Sequence, residues 1–205
     1  MGEPAYRSVM KKFDRCIRYT ILAVLSIGIR QRNWGAVVNA IVAIVGTYLP
    51  EIVEKRADME LLPWQQTYAR MAMAAHSVGM IGPYEDTWWW DHLTHTHSAT
   101  LLAGAVHVLS RRRGKDPRLR VLTAVGCAGV LWEIVEYAVH RTAARFDLEP
   151  ILVPYGKRDT VLDLCFDAVG ALLVVAFGDS LLENLVPQRD QPTRDEQARR
   201  GSDDS

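Results

Sequence analysis

DTVLDLCFDAVGALLVVAFG, residues 159–178, is the segment that best indicates which class of structure this chain forms. It has the length of a membrane-crossing helix, which takes roughly 20 mostly apolar residues. Asp159, Asp163 and Asp167 recur at every fourth position and therefore lie on one side of a helix. Ionisable groups in such a segment are energetically expensive and usually face polar partners. The segment predicts a membrane helix that presents a polar stripe to its neighbours.

Further apolar segments precede this one, separated by clusters of polar residues that bring the mean hydropathy of the chain to −0.03. We expect an all-α polytopic membrane helical bundle of about six transmembrane helices. Four is the alternative, because the first segment is short and the third carries Arg70 and His76. A soluble bundle is favoured only by the mean hydropathy. The predicted spans are 17–29, 34–50, 64–82, 91–110, 119–140 and 160–180.

Basic residues set the expected topology. They cluster before the first span and again within 111–120, and both clusters are expected in the cytoplasm. This makes the chain a multi-pass protein of the cell membrane with cytoplasmic N- and C-termini. Trp88 to Trp90 lie where the outer membrane interface is expected. The predicted regions are a basic cytoplasmic N-terminus (1–16), a transmembrane helical domain (17–186) and a disordered cytoplasmic tail (187–205).

Charge also limits the expected partners. The formal net charge is zero, and no basic stripe accompanies a recognition motif. The sequence therefore argues against nucleic-acid binding and leaves the lipid bilayer as the expected partner.

Three sets of polar residues lie in the last three predicted spans. Residues four apart on a helix are separated by only about 40° around its axis, so each set forms a stripe. By the predicted topology, all three stripes lie in the outer half of the membrane. The preferred ligand candidates are Asp91, His95, Glu133, Glu136 and Asp163. The candidates for supporting or proton-handling groups are His92, His140, Asp159 and Asp167.

A divalent metal ion is the simplest reason for such a cluster. Several carboxylates cannot all stay ionised in a low dielectric without cations or bound water. Oxygen and imidazole ligands together suit zinc, manganese or iron, whereas carboxylates alone suit magnesium or calcium, so the identity of the ion stays open. The spacing of Glu133, Glu136 and His140 matches the Glu-x-x-His elements of di-iron bundles only weakly. His92, His95 and His97 likewise resemble a single box of the histidine-box oxygenases.

Several functions fit this pattern. A metal site would favour a hydrolytic or transfer reaction on a membrane-soluble substrate. The alternatives are a proton or cation transporter and a structural or scaffold membrane protein in which the polar groups only join helices. The lone histidines His76 and His107 are interpreted as helix contacts.

Three motifs in order resemble the YjdF-like family of polytopic membrane proteins. Asp91-x-x-x-His95 is followed by an aromatic-Glu-x-x-Glu-aromatic element around Glu133 and Glu136, and then by Asp-Thr-x-x-Asp ending at Asp163. The likeness extends from about residue 30 to residue 180. It implies an uncharacterised integral membrane protein and carries no biochemical activity to transfer.

Overall fold

The computed structural model describes residues 3–148, 150–152 and 156–186, and the regular structure in that part of the chain is entirely helical. The all-α prediction is confirmed, and each of the six predicted spans overlaps a helix. The predicted tail, 187–205, lies outside the described residues. The helices are α1 (Glu3–Gln31), α2 (Trp34–Gly46), α3 (Leu49–Ala57), α4 (Pro63–Gly79), α5 (Pro83–Asp86), α6 (Trp90–Arg112), α7 (Arg118–Arg145) and α8 (Lys157–Leu181), followed by a 3-10 turn at Glu183–Leu185.

Helix ends differ from the predicted ones at two places. The first helix begins at Glu3 and not at residue 17, because its basic residues are good helix formers although they are not apolar. The second helix ends at Gly46, and α3 then occupies much of the connection that precedes α4. Pro50 lies in the first turn of α3, where its missing N–H costs no hydrogen bond.

The helices form two halves, each with its own apolar core. Helix α4 packs against α6 and joins the halves. The first half consists of α1, α2 and α4, with Ile17, Ile21, Val24, Ala40 and Ala43 in its core. The second half consists of α6, α7 and α8, with Ala99, Ala103, Val121, Val125, Ala171 and Val174 in its core.

Polar contacts define two opposite ends of the bundle. At the first, which we call the basic end, the Arg112 side chain donates to the carbonyls of Ala57 (2.8 Å) and Leu185 (3.0 Å). Thr67 donates to Asp14 there (3.0 Å). The N-terminal part of α1 therefore shares this end with the basic loop after α6. We call the opposite end, where α6 and α8 begin and α7 ends, the site end.

Three of the described helical segments have the length and composition of membrane helices. Within the described residues, three segments are long and apolar enough to cross a bilayer, namely Trp34–Ala57, Arg118–Arg145 and Lys157–Leu181. Helix α6 is not among them, because its polar stripe lowers its hydropathy. Large apolar side chains such as Leu131, Ile134 and Phe177 are exposed on α7 and α8. So much exposed apolar surface is typical of contact with lipid.

Candidate metal centre

Close packing of α6 on α8 brings two polar stripes together. Gly170 makes this approach possible, because a Cβ atom there would lie 2.7 Å from the carbonyl oxygen of Thr96. Small residues allow membrane helices to approach in this way. The two helices start at the same end of the bundle, so Asp91, His92 and His95 lie level with the carboxylates of α8. The predicted meeting of the fourth and sixth spans is present in the structure.

The first group of potential ligands consists of Asp91, His95 and Asp163. Their donor atoms all lie within 4.8 Å of one another. Nε2 of His95 is 3.9 Å from Oδ1 of Asp91 and 4.0 Å from Oδ1 of Asp163. Ligands about 2.1 Å from an ion lie about 3.4 Å apart in tetrahedral geometry. The two distances from His95 would thus have to shorten by about half an ångström to fit around a divalent ion.

Asp167 fixes the orientation of the His95 ring. Its Oδ1 lies 3.2 Å from Nδ1 of His95, on the ring edge opposite to Nε2. Both side chains are almost fully buried. Metal-binding histidines commonly donate their other ring N–H to a carboxylate, which sets the tautomer and the direction of the free nitrogen. Asp167 therefore directs Nε2 of His95 toward Asp91 and Asp163.

A second group shares Asp163 with the first. It consists of His92, Asp159 and Asp163, again with donor atoms within 4.8 Å of one another. His92 is buried and stacks on Phe166 with a centroid distance of 4.8 Å and an interplanar angle of 4°. The ring of His92 is thus held rigidly, with Nδ1 2.9 Å from Oδ1 of Asp163. Asp163 could contribute to two neighbouring positions.

The third predicted stripe, on α7, joins the site only in part. Glu136 lines a cavity together with Asp91 and His95 and is close enough to interact electrostatically with both. Glu133 and His140 belong to neither group of potential ligands among the described residues. Oε1 of Glu133 and Nδ1 of His140 are buried without a hydrogen-bond partner in the described part of the chain.

Two adjacent cavities lie at the site. A cavity of about 220 Å³, which we call the polar cavity, contains Asp91, His95 and Glu136 and lies at the site end. A second cavity of about 300 Å³, which we call the apolar cavity, lies deeper between α6 and α7. The residues that line both are His76, His95 and Trp132. Asp91 and His95 therefore face a space large enough to admit a small polar group, whereas Asp163 lines neither cavity.

His76 is a residue of the site that the sequence interpretation missed. Its Nε2 lies 2.8 Å from Oγ of Ser98, and its Nδ1 lies 3.0 Å from the hydroxyl oxygen of Tyr84. It does join α4 to α6, as a helix contact should, but it also lines both cavities. The only sequence signal for this role is its place near the end of the third predicted span, level with the start of the fourth.

The fold and site together define an all-α integral membrane protein with buried histidine and aspartate groups that could hold a metal ion. A family described as predicted membrane protein (DUF2238) matches residues 13–184. The chain belongs to this family, which confirms the expectation of an uncharacterised membrane protein family. No curated protein and no solved structure matches the sequence.

Proposed function

We propose that Asp91, His95 and Asp163 bind a divalent metal ion and that the protein uses it for a hydrolytic or group-transfer reaction in the membrane. The observation that carries this proposal is the convergence of the three side chains, with donor atoms within 4.8 Å, beside the polar cavity. Mixed imidazole and carboxylate ligands favour zinc, manganese or iron. A divalent ion would make a coordinated water nucleophilic at neutral pH and would polarise a substrate oxygen.

The side chains around the ligands supply the remaining roles. Asp167 holds His95 in one orientation, which limits rearrangement when an ion binds. Glu136 reaches the polar cavity from α7 and is the carboxylate best placed to accept or deliver a proton. Glu133 and His140 lie on the same stripe of α7 and are proposed to support Glu136.

We also propose that the protein lies in the bilayer with a defined orientation. The bilayer is the expected environment of the exposed apolar faces of α7 and α8. The basic end is proposed to lie in the cytoplasm, which places both termini there and the site in the outer half of the membrane.

Metal content is the direct test. Full-length protein purified in mild detergent is analysed by mass spectrometry of its bound metals, beside the variants His95→Ala and His97→Ala. We expect about one ion per chain in the wild type and in His97→Ala, since His97 belongs to neither group of ligands. His95→Ala should lose the ion. Equal metal content in all three folded proteins would refute the metal site.

A proton or cation pathway is the second candidate. It would use the polar pair His107 and Asp179 at the basic end, where Nε2 of His107 lies 3.2 Å from Oδ1 of Asp179. Between this pair and the site, the facing positions of α6 and α8 are apolar and buried, as Ala99, Ala103 and Ala171 illustrate. An ion would lose its hydration there without replacement ligands, which is costly. Flux measured in proteoliposomes distinguishes the two candidates.

A further inference from the structure

The apolar cavity extends the metal site into the lipid-facing flank of the bundle. Its walls include Ala99 and Leu102 of α6 and Val125 and Ala128 of α7. Leu102 is 37% exposed, so this residue of the cavity wall also belongs to the outer apolar surface. The cavity therefore borders the surface that the bilayer is expected to cover.

Small residues of α6 and α7 line this space beside the site, among them Ala99, Ala128 and Gly129. A Cβ atom on Gly129 would lie 2.5 Å from Oδ2 of Asp167, so glycine allows α7 to approach the carboxylate that orients His95. Trp132 of α7 lines both cavities and is itself 45% exposed. The polar and apolar cavities thus border the same three side chains, His76, His95 and Trp132.

We propose that the apolar cavity binds one hydrocarbon chain of a membrane amphiphile whose oxygen-bearing head group lies in the polar cavity, at Asp91, His95 and Asp163. This inference rests on the proposed function, to which it adds the class of substrate. A hydrocarbon chain in the apolar cavity stays out of water, while the head group lies beside Asp91 and His95, two of the three proposed ligands. A small water-soluble substrate would leave the deeper cavity unused.

The alternative occupant is a bulk lipid chain that enters the cavity whether or not metal and its ligand residues are present. The difference is measurable, because a chain attached to a metal-bound head group should occupy the cavity only when metal is present. Bulk lipid should occupy it regardless of metal and of the ligand residues.

The test maps where a lipid chain lies. Full-length protein is reconstituted in phosphatidylcholine vesicles with a small fraction of phosphatidic acid that carries a diazirine at the end of one acyl chain. After irradiation with Mn²⁺ or with chelator, labelled residues are identified by mass spectrometry. We expect Mn²⁺-dependent labelling of Leu102, Val125 and Ala128 above that of the exposed Leu131 and Ile134. His95→Ala should remove this excess.

Two variants and a control examine the cavity itself. Ala128→Leu fills it, and Leu102→Trp obstructs its lipid-facing side, where a larger residue is tolerated. Each should lower labelling of the cavity by about tenfold, because an overfilled site disfavours its occupant. Gly126→Leu is the matched control at similar depth on α7, since a Cβ atom there would meet nothing within 4 Å. In this control the cavity residues should be labelled to the same extent as in the wild type.

The outcomes separate the two proposals. Equal labelling of the cavity and of the exposed residues of α7 would overturn the chain site, even where metal analysis finds an ion. Cavity labelling that chelator and His95→Ala leave unchanged, in protein shown to bind metal, would overturn the link between chain and ion. If metal analysis finds no ion but the cavity is still labelled above the exposed face, the proposed function fails while the chain site is supported.

Discussion

His92 and Asp163, which are 71 positions apart in the chain, meet at the interface of α6 and α8, with Nδ1 2.9 Å from Oδ1. The same carboxylate oxygen lies 4.0 Å from Nε2 of His95. Asp163 is therefore the common member of both groups of potential ligands, and it is only 2% exposed. A buried carboxylate between two histidines is well suited to hold a cation.

Asp163→Asn should weaken metal binding more than Asp159→Asn, because Asp163 belongs to both groups and Asp159 to only one. We expect a loss of affinity of more than about 100-fold, since even the groups that support metal ligands contribute 10–100-fold. Titration of metal-free protein with Mn²⁺ measures it. Asp179→Asn, on the same helix but at the basic end, serves as the control. An affinity of Asp163→Asn equal to that of the control would contradict the assignment.

Asp167→Asn should weaken metal binding by about 10–100-fold without abolishing it. The amide keeps the size of the side chain but loses the charge that holds Nδ1 of His95. The same titration, combined with the pH dependence of metal binding, measures the effect. If Asp167 is itself a ligand, its variant will lose metal as completely as His95→Ala, and the positioning role will be wrong.

Much of the fold could be predicted from sequence because membrane helices are set by local composition. The apolar runs located six helices, namely α1, α2, α4, α6, α7 and α8, of which α7, α8 and the α2–α3 segment are long and apolar enough to cross a bilayer. The connection from Gly114 to Pro117 lies between α6 and α7, as predicted. The start of α1 could not be predicted from apolar runs, because its N-terminal half is rich in basic residues and resembles an unstructured polar segment. Helix α3 was likewise not predicted, because its sequence is short and charged and was interpreted as a connection between spans.

The sequence predicted those features of the site that depend on the spacing of residues within a single helix. Spacing placed Asp91 and His95 on one face and Asp163 and Asp167 on another, and these faces do meet. The rotation of α7 against its neighbours depends on packing around residues such as Gly129, which spacing does not reveal. For that reason Glu136 lines the polar cavity while Glu133 lines neither cavity, and neither glutamate belongs to a group of potential ligands among the described residues.

Gly170→Ala should destabilise the protein and loosen the site. The added Cβ atom would lie 2.7 Å from the carbonyl oxygen of Thr96 and 2.8 Å from Cβ of Ala99, so α6 and α8 must separate. We expect a loss of roughly 1–3 kcal/mol in the free energy of unfolding, the usual cost of overpacking. Thermal unfolding in detergent tests this, with Gly126→Ala as the control. Equal stability of the two variants would mean that this contact does not limit packing.

Arg70→Met should destabilise the first half of the bundle. Arg70 is 3% exposed and holds Asp14 of α1 and Glu51 of α3 (2.8 Å), while its Nε donates to the carbonyl oxygen of Thr47. Its removal leaves Asp14 with Thr67 and Glu51 with Arg18 as their remaining partners, so we expect a cost of about 1–3 kcal/mol. Unfolding of this variant is compared with that of Arg56→Ala, an exposed residue of α3. Metal content should be unchanged in both, because Arg70 lies far from the site end; its loss in Arg70→Met would show that the halves depend on each other.

The proposed orientation predicts which loops a membrane-impermeant thiol reagent can reach. The native cysteines, Cys16, Cys127 and Cys165, are exposed in the structure and are first replaced by serine. Single cysteines are then introduced by Lys115→Cys at the basic end and Leu148→Cys at the site end, both at exposed positions. In sealed right-side-out vesicles only Leu148→Cys should react, and Lys115→Cys should react after permeabilisation. The reverse pattern would place the metal site on the cytoplasmic side, and reaction of both before permeabilisation would mean that α7 does not cross the membrane.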